Sequence, residues 1–79
     1  MENEIFKKVV LIIQNSLQQQ DLQLTEESSS KDVQGWDSLR HMMIIADIEK
    51  VFDIKIDFME ILNMKSVGDI YNVVNQNKK

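Results

Sequence analysis

The chain has 79 residues, 43% of them hydrophobic, and a formal net charge of -4. This size predicts one small domain with one modest core over residues 1–79, and leaves no room for a deep catalytic pocket. The acidic balance argues against a nucleic-acid phosphate backbone as partner. Cysteine is absent, which excludes disulfides and thiolate zinc sites. We expect a cytoplasmic protein without a membrane span, because no signal-type N-terminus or apolar run of about 18 residues is present.

Helices are the expected elements, because the chain has no proline and only two glycines. The first helix is predicted over residues 2–19, where apolar residues recur at three- and four-residue steps: Ile5, Val9, Val10, Ile13 and Leu17. A long connection over residues 21–35 follows, with a short turn near residues 25–29. Its predicted anchors to the core are Leu22, Leu24 and Val33.

The second helix is predicted over Ser38–Phe52, with Asp37 as its N-cap. The residues expected on its inward and flanking faces are Leu39, Met42, Met43, Ile45, Ala46, Glu49 and Phe52. An extended connector that contains Ile54 and Ile56 comes next. It leads to a short third helix over residues 57–62, which is predicted to begin with a capping box of Asp57 and Glu60.

The fourth helix is predicted to begin at Ser66, and its apolar face comprises Val67, Ile70, Tyr71 and Val74. Residues 75–79 are expected to fray, as chain ends often do. The pattern as a whole predicts an all-α fold. It is a small antiparallel four-helix bundle, with three longer helices, one short helix and a long first loop.

Ser38 stands out in the run from Gly35 to Leu39, because it opens the second helix. A serine in that first turn is exposed and lies at the positive end of the helix dipole, where an anion gains roughly 0.3–1 kcal/mol. A serine hydroxyl is a poor nucleophile until a base takes its proton. His41 lies three residues further on, but nothing indicates a carboxylate behind it or an oxyanion hole. We therefore expect Ser38 to be modified by another enzyme, Trp36 to anchor the helix start, and His41 to be an exposed surface group.

The run Gly35-Trp36-Asp37-Ser38-Leu39 resembles the Asp-Ser-Leu attachment motif of the acyl carrier protein family. The order of elements is similar too, including the Phe-Asp-Ile-Lys-Ile connector at residues 52–56 and the closing Ser-Val-Gly-Asp at residues 66–69. The resemblance implies a 4'-phosphopantetheine arm on Ser38, taken from coenzyme A by a phosphopantetheinyl transferase. It also implies that Asp37 helps to hold the magnesium ion of the transferase complex.

The same resemblance implies what the arm would do. Its thiol would carry an acyl or aminoacyl group as a thioester, in fatty acid or polyketide biosynthesis. The partners implied are a loading ligase and enzymes that use the acyl group, and the carrier is expected to be a monomer without a bound metal. Docking would involve the second helix, through Leu39, Arg40, Met43, Asp47 and Glu49.

Two positions depart from the carriers of fatty-acid synthesis, which have acidic residues two and five places after the serine. Arg40 and Met43 stand there, and Trp36 replaces a small residue, so the chain looks more like the free-standing carriers of specialised pathways. A pocket for an acyl chain, lined by Met42, Ala46, Ile61 and Leu62, is the minor interpretation; a place in the core is preferred for the methionines and Ala46. For Asp47 and Glu49 a solvated face is preferred over docking.

Several alternatives stay open from sequence. The chain could be a peptidyl or aminoacyl carrier of a nonribosomal or hybrid pathway. It could also be a small helical interaction module without a prosthetic group, in which case Ser38 is dispensable. A helix-turn-helix DNA binder is disfavoured by the acidic balance, and a small serine hydrolase by the lack of a supported base.

Overall fold

The computed structural model describes residues 4–77. Four helices follow one another along the chain: α1 (Glu4–Leu17), α2 (Ser38–Phe52), α3 (Phe58–Asn63) and α4 (Val67–Asn77). The prediction of an all-α bundle with three longer helices and one short one is confirmed. Within residues 4–77 the strand-like pairing is limited to one isolated bridge between Ser29 and Ser66. No helix in this part of the chain has the length and apolarity needed to cross a membrane.

The core lies between α1, α2 and α4, and β-branched side chains dominate it. α1 packs against both α2 and α4. The largest side chains that are fully buried come from these three helices: Val9, Ile13, Ile44, Ile45, Ile48, Val67, Ile70 and Val74. Their burial removes apolar surface from water at roughly 25 cal/mol per Å², so this region supplies most of the stabilisation.

The predicted inward face of α2 is partly wrong. Leu39, Met42 and Met43 are exposed, as is Ala46, whereas Ile44, Ile45 and Ile48 are buried in the core. Apolar residues lie on more than one side of this helix, so a period of 3.6 does not single out one face. The isoleucines face the core, and Met42 borders the cavity that lies toward α3.

The long loop is held to the start of α4 by backbone hydrogen bonds. The Val67 N–H donates to the Ser28 carbonyl at 2.9 Å, and the Gly68 N–H donates to the Glu26 carbonyl at 2.9 Å. A Cβ at position 68 would lie 3.0 Å from the Glu26 oxygen, so glycine permits this close approach. The predicted anchors are confirmed: Val33 is buried, and Leu22 and Leu24 pack against the core.

The helix ends test five further predictions. Asp37 caps α2 as predicted, but Asp57 makes no capping hydrogen bond at α3, so the capping box predicted there is wrong. α1 ends at Leu17 because Gln18 has a positive φ of 57°, and its predicted start at residue 2 lies outside the described residues. Fraying is wrong for residues 75–77, which are helical, while residues 78–79 lie outside the described part. Ser66 immediately precedes α4, and its Oγ accepts from the Asp69 N–H at 3.2 Å.

Candidate functional site

Ser38 is the first residue of α2 and is exposed. Gly35, with φ of +91°, makes the turn that leads into the helix. Asp37 caps the helix, since its Oδ1 accepts from the Arg40 N–H at 2.8 Å. The capping function therefore belongs to Asp37, and the Ser38 hydroxyl lies outside the cap at the positive end of the helix dipole.

A cavity of about 610 Å³ opens beside Ser38, between the long loop, the start of α2 and α3. Its apolar lining comes from Met42, Ile61, Leu62 and Met64. Polar residues complete the wall, among them Ser29, Ser30, Lys31 and Lys65. Three of the four residues predicted for an acyl pocket therefore line one cavity with Ser38. Ala46 does not, because it lies on an exposed part of α2.

Three residues that line this cavity, Lys31, Met64 and Lys65, were not predicted from the sequence. Lys31 belongs to the long loop, and Met64 and Lys65 belong to the link between α3 and α4. No local motif marks them, because they meet Ser38 only through the folding of distant segments. The burial of Met64 and of Trp36, both under 10% exposed, shows where the loop and this link join the core.

Trp36 is an anchor at the start of α2, as predicted, with 3% of its surface exposed. Its indole N–H donates to His41 Nδ1 at 3.2 Å, and the two rings lie 6.2 Å apart at 27°. His41 Nε2 lies 3.3 Å from the Ile61 carbonyl oxygen. Because the indole N–H is only a donor, Nδ1 must accept and Nε2 must carry the proton. The prediction that His41 is a free surface group is wrong: it is half-buried and links Trp36 to α3.

Two of the five residues predicted for docking, Arg40 and Glu49, use their charged groups in hydrogen bonds within the chain. Arg40 Nη1 donates to the Ser16 carbonyl at 3.2 Å, where a cation is favoured near the C-terminus of α1. Glu49 Oε2 accepts from the Ile56 N–H at 2.8 Å and fixes the connector, so the prediction of a solvated face is wrong for Glu49. The other three are exposed and lie four residues apart on one side of α2: Leu39, Met43 and Asp47.

Residues 28–30 of the long loop take part in local hydrogen bonds. Ser28 Oγ accepts from the Thr25 N–H at 2.9 Å, and Ser29 Oγ donates to Asp32 Oδ2 at 3.2 Å. These bonds close the turn predicted near residues 25–29.

Over residues 4–77 there is also no group of three or more His, Cys, Asp or Glu side chains placed to hold a metal ion.

Comparison with known proteins gives concordant results. The family profile described as "Phosphopantetheine attachment site" matches residues 7–74. An acyl carrier protein of Thermotoga maritima is 37% identical over 71 residues, which is 90% of this chain and 88% of that protein. The solution structure of a holo acyl carrier protein from Geobacter metallireducens superposes with a TM-score of 0.86 at 29% identity, covering 95% of this chain and 86% of that one. A putative acyl carrier protein of Mycobacterium tuberculosis superposes with a TM-score of 0.84 at 33% identity, covering 91% and 96%.

Proposed function

This chain belongs to the acyl carrier protein family and bears a phosphopantetheine attachment site, and from that premise we propose that Ser38 is the residue that carries the arm. The single observation that supports this most strongly is the position of its hydroxyl. It is exposed, lies at the start of α2, is not needed as the helix cap, and borders a cavity of about 610 Å³. An anionic phosphodiester there is favoured by the dipole of α2.

The residues around Ser38 fit attachment by a separate enzyme. In the transfer, Ser38 Oγ forms a bond to the pyrophosphate phosphorus of coenzyme A that bears the pantetheine, and the P–O bond between the two pyrophosphate phosphorus atoms breaks. The serine proton passes to a base of the transferase, and adenosine 3',5'-bisphosphate leaves. Asp37 uses Oδ1 for the cap, and we propose that its second oxygen contributes to the magnesium site of the transferase complex. When bound, the arm supplies a thiol that forms a thioester with an acyl group. The chain has no cysteine, so no other thiol competes for that group.

We propose that the protein itself is not a catalyst. The only histidine has both ring nitrogens engaged, Nδ1 by Trp36 and Nε2 by the Ile61 carbonyl. Neither nitrogen is available to take the Ser38 proton, which a serine hydrolase would need. This arrangement supports a carrier over the hydrolase alternative.

A cytoplasmic location and a monomeric state stay predictions.

Partner enzymes are proposed to dock on the exposed side of α2. Leu39, Met43 and Asp47 share that side, and Leu39 is 69% exposed. They give a contact area with two apolar residues and one acidic residue, directly after the attachment serine. Such a small area suits brief visits by a transferase, a loading ligase and acyl-using enzymes in turn. Arg40 and Glu49 are left out, because their polar heads bond within the chain.

Mass spectrometry of the intact protein tests the proposal. The full chain is incubated with coenzyme A, magnesium and a phosphopantetheinyl transferase of broad specificity, with a known carrier in the same tube as the control. We expect the wild type to gain one phosphopantetheine and Ser38→Ala to gain none. Ser38→Ala should fold normally, since the hydroxyl is exposed and makes no cap. An unmodified wild type beside a modified control would refute the proposal.

A further inference from the structure

α3 is the shorter of the two helices that line the cavity. It has six residues, and Ile61 is its one buried residue. Phe58, Met59 and Leu62 are all more than half exposed. A helix this short gains little stability from its own backbone, so its position depends on contacts with the rest of the protein. Within residues 4–77, the hydrogen bond between His41 and the Ile61 carbonyl is the one that joins α2 to α3.

That bond is the second half of a continuous link. The buried Trp36 donates to His41 Nδ1, and His41 Nε2–H donates to the Ile61 carbonyl. Ile61 lies in the last turn of α3, and its carbonyl also accepts from the Met64 N–H at 3.3 Å, so the bond from His41 is a second bond to the same oxygen. The link therefore runs from the buried Trp36 to a helix that has one buried residue, Ile61. All three residues also line the cavity beside Ser38.

We propose that His41 is a positioning residue that holds α3 at a set distance from α2 and so limits the length of acyl group that the cavity shelters. The link of Trp36, His41 and Ile61 is here called the latch. The inference rests on the proposed function, because it takes the arm on Ser38 to bring the acyl group to this cavity. The chemical class of ligand is a saturated acyl chain, which fits the lining of Met42, Ile61, Leu62 and Met64.

The latch can be broken without changing the volume of the side chain. His41→Leu keeps a similar size but removes both hydrogen bonds. His41→Gln is the matched control, because its amide offers one acceptor for Trp36 and one donor for the Ile61 carbonyl. Trp36→Phe removes the indole donor from the other end and serves as a second disrupting variant should His41→Leu fold poorly.

Amide hydrogen exchange of the unmodified full chain tests the latch independently of any arm. We expect His41→Leu to speed exchange in α3 by roughly two- to tenfold, the range set by a net hydrogen-bond contribution near 1 kcal/mol, and exchange in α1 to stay unchanged. His41→Gln should exchange like the wild type. Equal α3 exchange in the wild type and in both disrupting variants would overturn the latch, whatever happens at Ser38.

The effect on acyl length is measured on the arm-bearing protein. Each variant is loaded with a series of saturated acyl groups from butyryl to palmitoyl, and the rate of thioester cleavage by hydroxylamine is followed. We expect the wild type to protect short chains best, and His41→Leu to move the greatest protection to longer chains, with His41→Gln restoring the wild-type profile. A uniform loss of protection at all lengths, or an unmoved profile, would show a merely structural role and overturn the proposal. Failure to load any variant would count against the proposed function instead.

Discussion

The two sides of α2 differ in what holds them in place. On the side toward α1 and α4, Ile44, Ile45 and Ile48 are at most 1% exposed and pack in the core. On the side toward α3 there is a cavity, and within residues 4–77 one hydrogen bond, from His41 to the Ile61 carbonyl, joins the two helices. The buried side of α2 thus contributes to stability, whereas the proposed function lies on its other side, at the cavity. We therefore expect the exposed residues that line the cavity, such as Met42 and Leu62, to change with little effect on folding.

The largest expected effect is a loss of stability from a substitution on the core side of α2, and a substitution on the cavity wall serves as its control. Ile44→Ala removes a fully buried side chain and should cost about 2–5 kcal/mol of unfolding free energy. Leu62→Ala, on the cavity wall and 55% exposed, should stay within about 0.5 kcal/mol. Urea unfolding measures both, and the slope with denaturant should not change. Similar losses in the two variants would contradict the division of α2 into two sides.

A medium effect is expected at the junction of α1 and α2. Arg40→Met keeps much of the apolar stem but loses the hydrogen bond from Nη1 to the Ser16 carbonyl. Unfolding free energy should fall by about 0.5–1.5 kcal/mol. Lys55→Met, on the exposed connector, is the control and should change stability less. If the two substitutions cost the same, Arg40 is a surface residue, and the role first predicted for it in docking regains weight.

The smallest effect on stability is expected at Asp37, where function should change instead. Asparagine caps helices as well as aspartate does, so Asp37→Asn should alter unfolding free energy by only a few tenths of a kcal/mol. The loss of charge should slow arm transfer roughly ten- to hundredfold, the range found when a group that supports a metal ion is removed. Asp37→Ala is the control that loses both properties. Transfer to Asp37→Asn at the wild-type rate would rule out a part for this carboxylate in the magnesium site.

The sequence predicted the start of α2 at Ser38 because a local signal, the N-cap Asp37, marks it, whereas the residue that ends the helix was identified only in the structure. Asp37 is a strong N-cap, and Asp53, with φ of 56°, ends the helix in the left-handed region. The same sequence did not predict which face of α2 is buried. Isoleucine and methionine are both apolar, and only the shapes of α1 and α4 decide that the isoleucines face the core.

The sequence motif indicated the two central residues of the candidate site, but it did not indicate the contacts around them. Ser38 and Asp37 belong to one short motif, whereas the partners of His41 stand five residues before it and 20 residues after it. Hydrogen bonds of this kind depend on how the helices pack together, and the spacing of apolar residues in the sequence does not predict them. The same holds for Glu49, whose carboxylate reaches the backbone of Ile56.

The most direct test of the account is to locate the arm within the chain. Ser29 and Ser30 line the same cavity as Ser38, so an intact mass alone does not distinguish the three hydroxyls. Tandem mass spectrometry of peptides from the transferase-treated wild type does. We expect phosphopantetheine on Ser38 and on no other serine. An arm on Ser29 or Ser30, or no arm on any of them, would contradict it.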